Sequence, residues 1–197
     1  MRWATVEYID TDATRPRPRI QPAFLIEEDW EVAERFGMDV IETERLEIDA
    51  LDAQHTALYG LFQFLIGNTD WSVLEGAPGD LCCHNGKAIG KSGETLIVLP
   101  YDFDNSGLVS AGYAVPSDDL PIRFVRQRLY RGFCTMNGEL PAAIAHISQR
   151  RERLMALLDD ESLSKRSRER ALKYLGEYFE VIDDQEKRQE LLYEDCR

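Results

Sequence analysis

The sequence predicts an α+β protein, mainly helical with one small β-hairpin, on three observations. Apolar residues recur at helical spacing in three long stretches: Leu51 to Ile66, Ile144 to Leu158, and Leu172 to Leu191. Two short apolar runs, Cys82 to Ile89 and Thr95 to Leu99, flank Gly90-Lys91-Ser92-Gly93, whose glycines allow the positive φ of a tight turn. Trp3 to Ile9 alternates in the period of two that marks a strand.

The elements follow in chain order. After the first strand, the stretch from Asp10 to Arg19 carries Pro16 and Pro18, which cannot donate to a sheet ladder, and reads as an exposed connection whose arginines are candidates for touching phosphate. Ala23-Phe24-Leu25-Ile26 reads as a short strand, and Glu27-Glu28-Asp29 opens a helix that runs to Arg35 before Gly37 stops it. The long apolar helix from Asp49 ends at Gly67, which delivers Asn68 and Asp70 to a fixed place. The last two helical stretches, from Gly138 and from about Ser164, read as an antiparallel pair joined through Asp159 to Leu163.

Composition narrows the function. With 197 residues, 44% hydrophobic and 30% charged, the chain is long enough for one well-buried domain, or one domain and a small appendage. A net charge of −13 argues against general nucleic-acid binding, which needs a basic surface, and disfavours anionic membranes. No apolar run approaches the roughly 20 residues of a membrane-spanning helix. Cys82, Cys83, Cys134 and Cys196 form no Cys-x-x-Cys pair, and no signal peptide opens the sequence, so reduced thiols and a cytoplasmic location are expected. Adjacent Cys82 and Cys83 on a strand would face opposite ways and not share a zinc ion.

The chemistry concentrates between Leu65 and Ala114. Gly67-Asn68-Thr69-Asp70-Trp71-Ser72 and Pro100-Tyr101-Asp102-Phe103-Asp104-Asn105-Ser106-Gly107 each follow an apolar run, and Cys83-His84-Asn85-Gly86 lies between them. A hairpin sets the start of its first strand beside the end of its second, which brings His84 and Asn85 near Tyr101 and Asp102. Asn85, Asp102 and Asp104 then offer the oxygen ligands that Mg or Mn prefers. His84 is a candidate for holding the loop or a metal, but is better read as a satisfied structural histidine; His55 reads as a surface or partly buried one. Read singly, Asp70 also suits a turn cap, and 102–105 an Asx-rich turn.

An apolar helix ending in Gly-Asn-Thr-Asp, a later His-Asn opening a strand, and a strand ending in Tyr-Asp-Phe-Asp resemble the catalytic half of atypical protein-kinase-like folds, closest to the CotH spore-coat kinases and HipA-type kinases. The resemblance implies a kinase-like C-lobe over 37–197, with 1–36 a remnant of N-lobe strands and hinge. It assigns Asp70 the orientation of the attacking hydroxyl, and Asn85, Asp102 and Asp104 the metal and, through it, the phosphates of ATP. It also implies adenine recognition by the backbone at Ile26, Glu27 and Glu28; the same carboxylates equally suit a helix start. In such kinases the metal-binding Asn follows the catalytic Asp by a few residues, whereas here Trp71 to His84 intervene, a loop insertion whose entropy cost grows slowly with length.

The glycine-rich loop and strand Lys of a complete N-lobe are not found in the sequence, so a partner chain or a missing N-lobe would have to supply them. The small-residue stretch from Asn105 to Pro116 occupies the place of a substrate loop. Arg123, Arg126, Arg128 and Arg131 form a basic cluster that suits either an acidic ligand or the protein's own acids. The expectation is metal-dependent transfer of the ATP γ-phosphate to an unidentified hydroxyl acceptor. Its alternatives are a catalytically inactive kinase-like binding module and a metal-dependent phosphoesterase.

Overall fold

The computed structural model describes residues 2–9, 11 and 18–197, and the chain divides into two units, one ending at Val40 and the other beginning at Ile41. The proline- and arginine-rich connection expected at 10–19 lies mostly outside the described residues. The fold class is α+β, with small antiparallel sheets beside a larger helical part.

In the N-terminal unit, β1 (Arg2–Tyr8) and β2 (Arg19–Leu25) pair antiparallel with Trp3 opposite Phe24. Their rings meet edge-on at 6.1 Å. β2 begins earlier than its apolar residues alone predict, because Pro22 is tolerated in a two-stranded ribbon, where every strand is an edge. α1 (Asp29–Arg35) starts as the acidic run predicts: Glu31 accepts the Glu28 backbone N–H at 3.2 Å, and Glu27 pairs with Arg35 at 3.0 Å. Gly37, at φ 65°, ends it, and the short strand β3 (Asp39–Val40) follows.

The larger unit is built around α2 (Ala53–Ile66). Nine of its residues are buried, on both sides, because it lies between two apolar layers. One layer is helical, where Leu61, Phe64 and Leu65 meet Leu140, Ile147, Leu175, Tyr178 and Leu192. The other contains Tyr59, Trp71, Val73, Ala88, Leu96 and Val98 and includes β4 (Gly86–Gly90) and β5 (Ile97–Pro100). Those strands pair as a hairpin with Gly86 opposite Pro100 and Ile89 opposite Ile97. No helix among the described residues is long and apolar enough to cross a membrane.

Three expectations need correction. The first hairpin strand starts at Gly86 and not at Cys82, because Asn85 sits at φ 51° and turns the chain out of the ladder. The cysteines are paired: Cys82 bonds to Cys83, and Cys134 to Cys196. The first pair lies in a loop, so the alternation of a strand does not separate the sulfurs; the second closes 62 residues, a constraint worth roughly 4 kcal/mol. The C-terminal helical pair is divided further, into α3 (Leu140–Ser148), α4 (Arg151–Ala156), α5 (Lys165–Asp183) and α6 (Gln185–Arg188). The break after α5 is a new cap, in which the extended Asp184 accepts the N–H groups of Glu186 and Lys187 at 3.0 and 3.1 Å.

The end of α2 positions everything that follows. Gly67, at φ 65°, closes a Schellman turn in which its N–H and that of Asn68 reach the carbonyls of Phe64 and Gln63. The Gly67 carbonyl then accepts the Gly107 N–H at 2.9 Å, and the Tyr174 hydroxyl from α5 fills the space against both glycines. A Cβ at Gly67 would overlap that hydroxyl in a backbone conformation that already disfavours side chains. Gly67→Ala is expected to cost roughly 2–4 kcal/mol in urea unfolding. Gly37→Ala, with the same φ but open space around it, should cost only about 1 kcal/mol.

Candidate functional site

Asp70 lies three residues beyond the helix stop, and its loop is built from local hydrogen bonds. Asn68, buried at 1% exposure, turns its Oδ1 onto the Asp70 N–H at 3.0 Å, and its carbonyl accepts the Trp71 indole N–H at 3.1 Å. The Asp70 carboxylate then gathers three side chains from two distant parts of the chain. His84 Nε2 is 2.7 Å from Oδ1; on Oδ2, Asn105 Nδ2 donates at 2.8 Å and Asn85 Nδ2 at 3.2 Å. Asn85 also donates to the Asp70 carbonyl at 2.8 Å. Hydrogen bonds to a charged group contribute roughly 1.5–3 kcal/mol when dry, and less here, where the Asp70 side chain is 37% exposed.

The hairpin brings the second acidic motif to the same place. Gly86 faces Pro100, and the Tyr101 N–H donates to the Asn85 carbonyl at 3.2 Å. Asn85 and Asp102 flank the ribbon, both left-handed, at φ 51° and 54°. Asn and Asp are the side-chain-bearing residues that adopt this conformation most readily, a local reason for these types here. Asp102 stands close enough to Asp70 and Asp104 for their charges to act on it. Loss of solvent and these neighbouring charges raise its carboxyl above the usual range, although the Asp104 N–H, which it accepts, works the other way. Asp104 is held on its other side by the Tyr113 hydroxyl at 2.8 Å.

The basic cluster does something neither sequence reading anticipated. Its arginines brace the site loops through backbone carbonyls. Arg131 donates to the carbonyls of Thr69 and Trp71, which bracket Asp70, the latter at 2.9 Å. Loss of solvent lowers its pKa, and the nearby Asp70 charge works against that shift. Arg126 donates to the Gly107 carbonyl at 3.2 Å and lies over the Tyr174 ring, while Arg128 donates to the Tyr174 carbonyl and covers the same ring at 3.6 Å.

The structure therefore brings Asp70, Asn85 and Asp102 together, with Asp104 beside Asp102. Ile26, Glu27 and Glu28 belong to the N-terminal unit, where Glu27 and Glu28 serve the start of α1 and Ile26 is 63% exposed. Asn105 and Arg131 are site residues that sequence reasoning did not place. Asn105 adjoins Asp104 in an acidic run, and its type was the only signal. His84 is satisfied, as expected of a structural histidine, but by Asp70 itself. His55 Nε2 donates to the Val98 carbonyl, 2.9 Å away, apart from these groups.

Beside Asp70 opens a cleft of about 310 Å³, lined in part by Thr69, Ser72, His84, Ser117, Asp119 and Arg131. A hard cation suits the oxygen set next to it. The Asn85 amide oxygen and the carboxylates of Asp102 and Asp104 are the donors such ions prefer, and the crowding of negative charge on Asp102 is what a cation would relieve. Among the described residues no three His, Cys, Asp or Glu side chains form a ready-made cluster; Mg needs only one or two carboxylates when phosphates and waters complete its shell. No family model, curated protein or solved structure matches the chain.

The raised Asp102 carboxyl fixes the sign of a prediction. Its folded pKa exceeds the unfolded value, so the folded state binds more protons between the two, and stability falls as pH rises through that window. Asp102→Asn should stabilise the protein at neutral pH by about 0.5 kcal/mol, the size expected of a solvent-screened repulsion. The gain should disappear below the unfolded carboxyl range, as read by thermal melts from pH 3 to 7.

Proposed function

We propose that this chain carries the catalytic half of a kinase-like phosphotransferase, in which the ATP γ-phosphate passes to a hydroxyl acceptor in the cleft beside Asp70. One observation supports the reading above the others: the Asp70 carboxylate is tied to the hairpin base through Asn85 and to the acidic loop through Asn105, within range of the Asp102 charge. Phosphoryl transfer asks mainly for positioning and charge neutralisation. Two sequence-distant segments that converge on the carboxylate of a third supply the positioning.

Each residue then has a physical task. An ionised carboxylate has about four lone-pair sites; His84 takes one on Oδ1, and Asn85 and Asn105 take those on Oδ2. The remaining site, on Oδ1, is left to accept the hydrogen of an incoming hydroxyl and so aim its oxygen. Arg131 fixes the carbonyls on both sides of Asp70, which limits the loop's freedom to swing. Asn85, Asp102 and Asp104 would hold Mg or Mn. When bound, that ion supplies the positive charge that neutralises the nucleotide phosphates.

A catalytically inactive kinase-like binding module is the second reading. It is favoured by the same three contacts on Asp70, since three groups on one carboxylate also make a structural tie.

A thermal-shift series with ATP and Mg or Mn separates these readings. Wild type should be stabilised by about 2.7 kcal/mol at a nucleotide concentration one hundred times Kd. Asp102→Ala should abolish the shift, while Asp70→Ala keeps it and loses phosphate transfer from labelled ATP. A shift without transfer in wild type selects the binding module. Hydrolysis of p-nitrophenyl phosphate with no ATP present reassigns the acids to a phosphoesterase. No shift under any of these conditions removes the nucleotide from the reading.

A further inference from the structure

We propose that the Cys196–Arg197 segment is a redox-controlled strap that seats the loop carrying Asp70. The contact is through Trp71, which follows Asp70 directly and is 3% exposed. Two guanidinium groups lie on its indole: Arg131 at 5.4 Å and Arg197 at 5.1 Å from the ring centre. Arg197 also covers the Phe133 ring at 4.5 Å, so its side chain links residue 133 to the Asp70 loop across 62 positions of sequence.

The seat of Arg197 is not held by attraction alone. Two cations on one ring repel each other, which offsets part of a cation–π attraction that is modest at surface sites. Loss of solvent against the rings, and then the charge of Arg131, bring the Arg197 pKa down to about 10, the sign of a cation in a costly place. Three ties to residues 132–134 hold the segment there. The Arg197 N–H donates to the Gly132 carbonyl at 2.9 Å, the Cys134 N–H donates to the Arg197 carbonyl at 3.0 Å, and Cys196 is bonded to Cys134.

The covalent member of this set is the one open to change. Cys134 is exposed, whereas Cys82 and Cys83 are buried at 5% and 6%. A small dithiol attacking the Cys134–Cys196 bond is oxidised to its own cyclic disulfide, the S–S bond breaks, and each cysteine sulfur leaves as a protonated thiol. Two backbone hydrogen bonds then face the Arg131–Arg197 repulsion without the tether. The strap lifts and the Trp71 face opens to water, while Arg131, His84, Asn85 and Asn105 still hold the Asp70 loop itself. The consequence for phosphate transfer rests on the role proposed for Asp70; the seating of Trp71 does not.

The experiment needs neither nucleotide nor turnover. In a Trp3→Phe/Trp30→Phe chain, Trp71 is the sole indole and reports on its own cover. Dithiothreitol, with opening of the 134–196 pair verified by alkylation and mass mapping, should shift its emission to the red and raise acrylamide quenching several-fold. Cys134→Ser/Cys196→Ser, which keeps the Cys82–Cys83 pair, should do the same with no reductant. Arg197→Ala with the disulfide intact should move quenching in the same direction. Unchanged quenching after verified opening overturns the redox control, and unchanged quenching in Arg197→Ala overturns the strap. If the double serine variant loses its far-ultraviolet helix signal, the dithiol and Arg197→Ala arms still decide.

Discussion

The architecture of the site depends on where α2 stops. Gly67 reverses the backbone in a conformation that disfavours most side chains, and its carbonyl then takes the N–H of Gly107. That hydrogen bond, with the Leu108 N–H on the Ile66 carbonyl beside it, joins the end of α2 to the loop carrying Asp102 and Asp104. Tyr174 packs against both glycines from α5, so the helical core bears directly on the crossing. An apolar helix with a fixed terminus becomes, in this way, a rigid origin from which the polar groups are measured.

Charge is managed locally in a chain of strongly negative balance. Asp70 is held by two neutral amides and a histidine, and among the described residues no guanidinium pairs with it directly. The arginines nearby donate to backbone carbonyls and stack on rings, which stiffens the loops while leaving the carboxylates open to an ion or a hydroxyl. Asp102, crowded by two other carboxylates, carries the unrelieved part of that charge.

The two units differ in how they are held. The larger has two apolar layers on either side of α2, while the smaller is a ribbon and a single short helix with several large apolar side chains, Trp3 and Ile20 among them, in solvent. A two-stranded ribbon has little to bury against itself. The kinase-like proposal therefore rests on residues of the larger unit alone.

The sequence by itself determined the local geometry: the α2 stop at Gly67, the turn between the hairpin strands and the acidic start of α1. Each is set by a few neighbouring residues through φ preference, capping or apolar period. It also placed Asn85 near Asp102, because hairpin pairing converts turn position into register. Only the tertiary structure decided that Asn105 and His84 meet Asp70, that Arg126, Arg128 and Arg131 donate to backbone carbonyls, and that Cys134 finds Cys196. Those contacts join residues from 14 to 62 positions apart, and no local preference encodes which of several chemically suitable partners the packed core brings within reach.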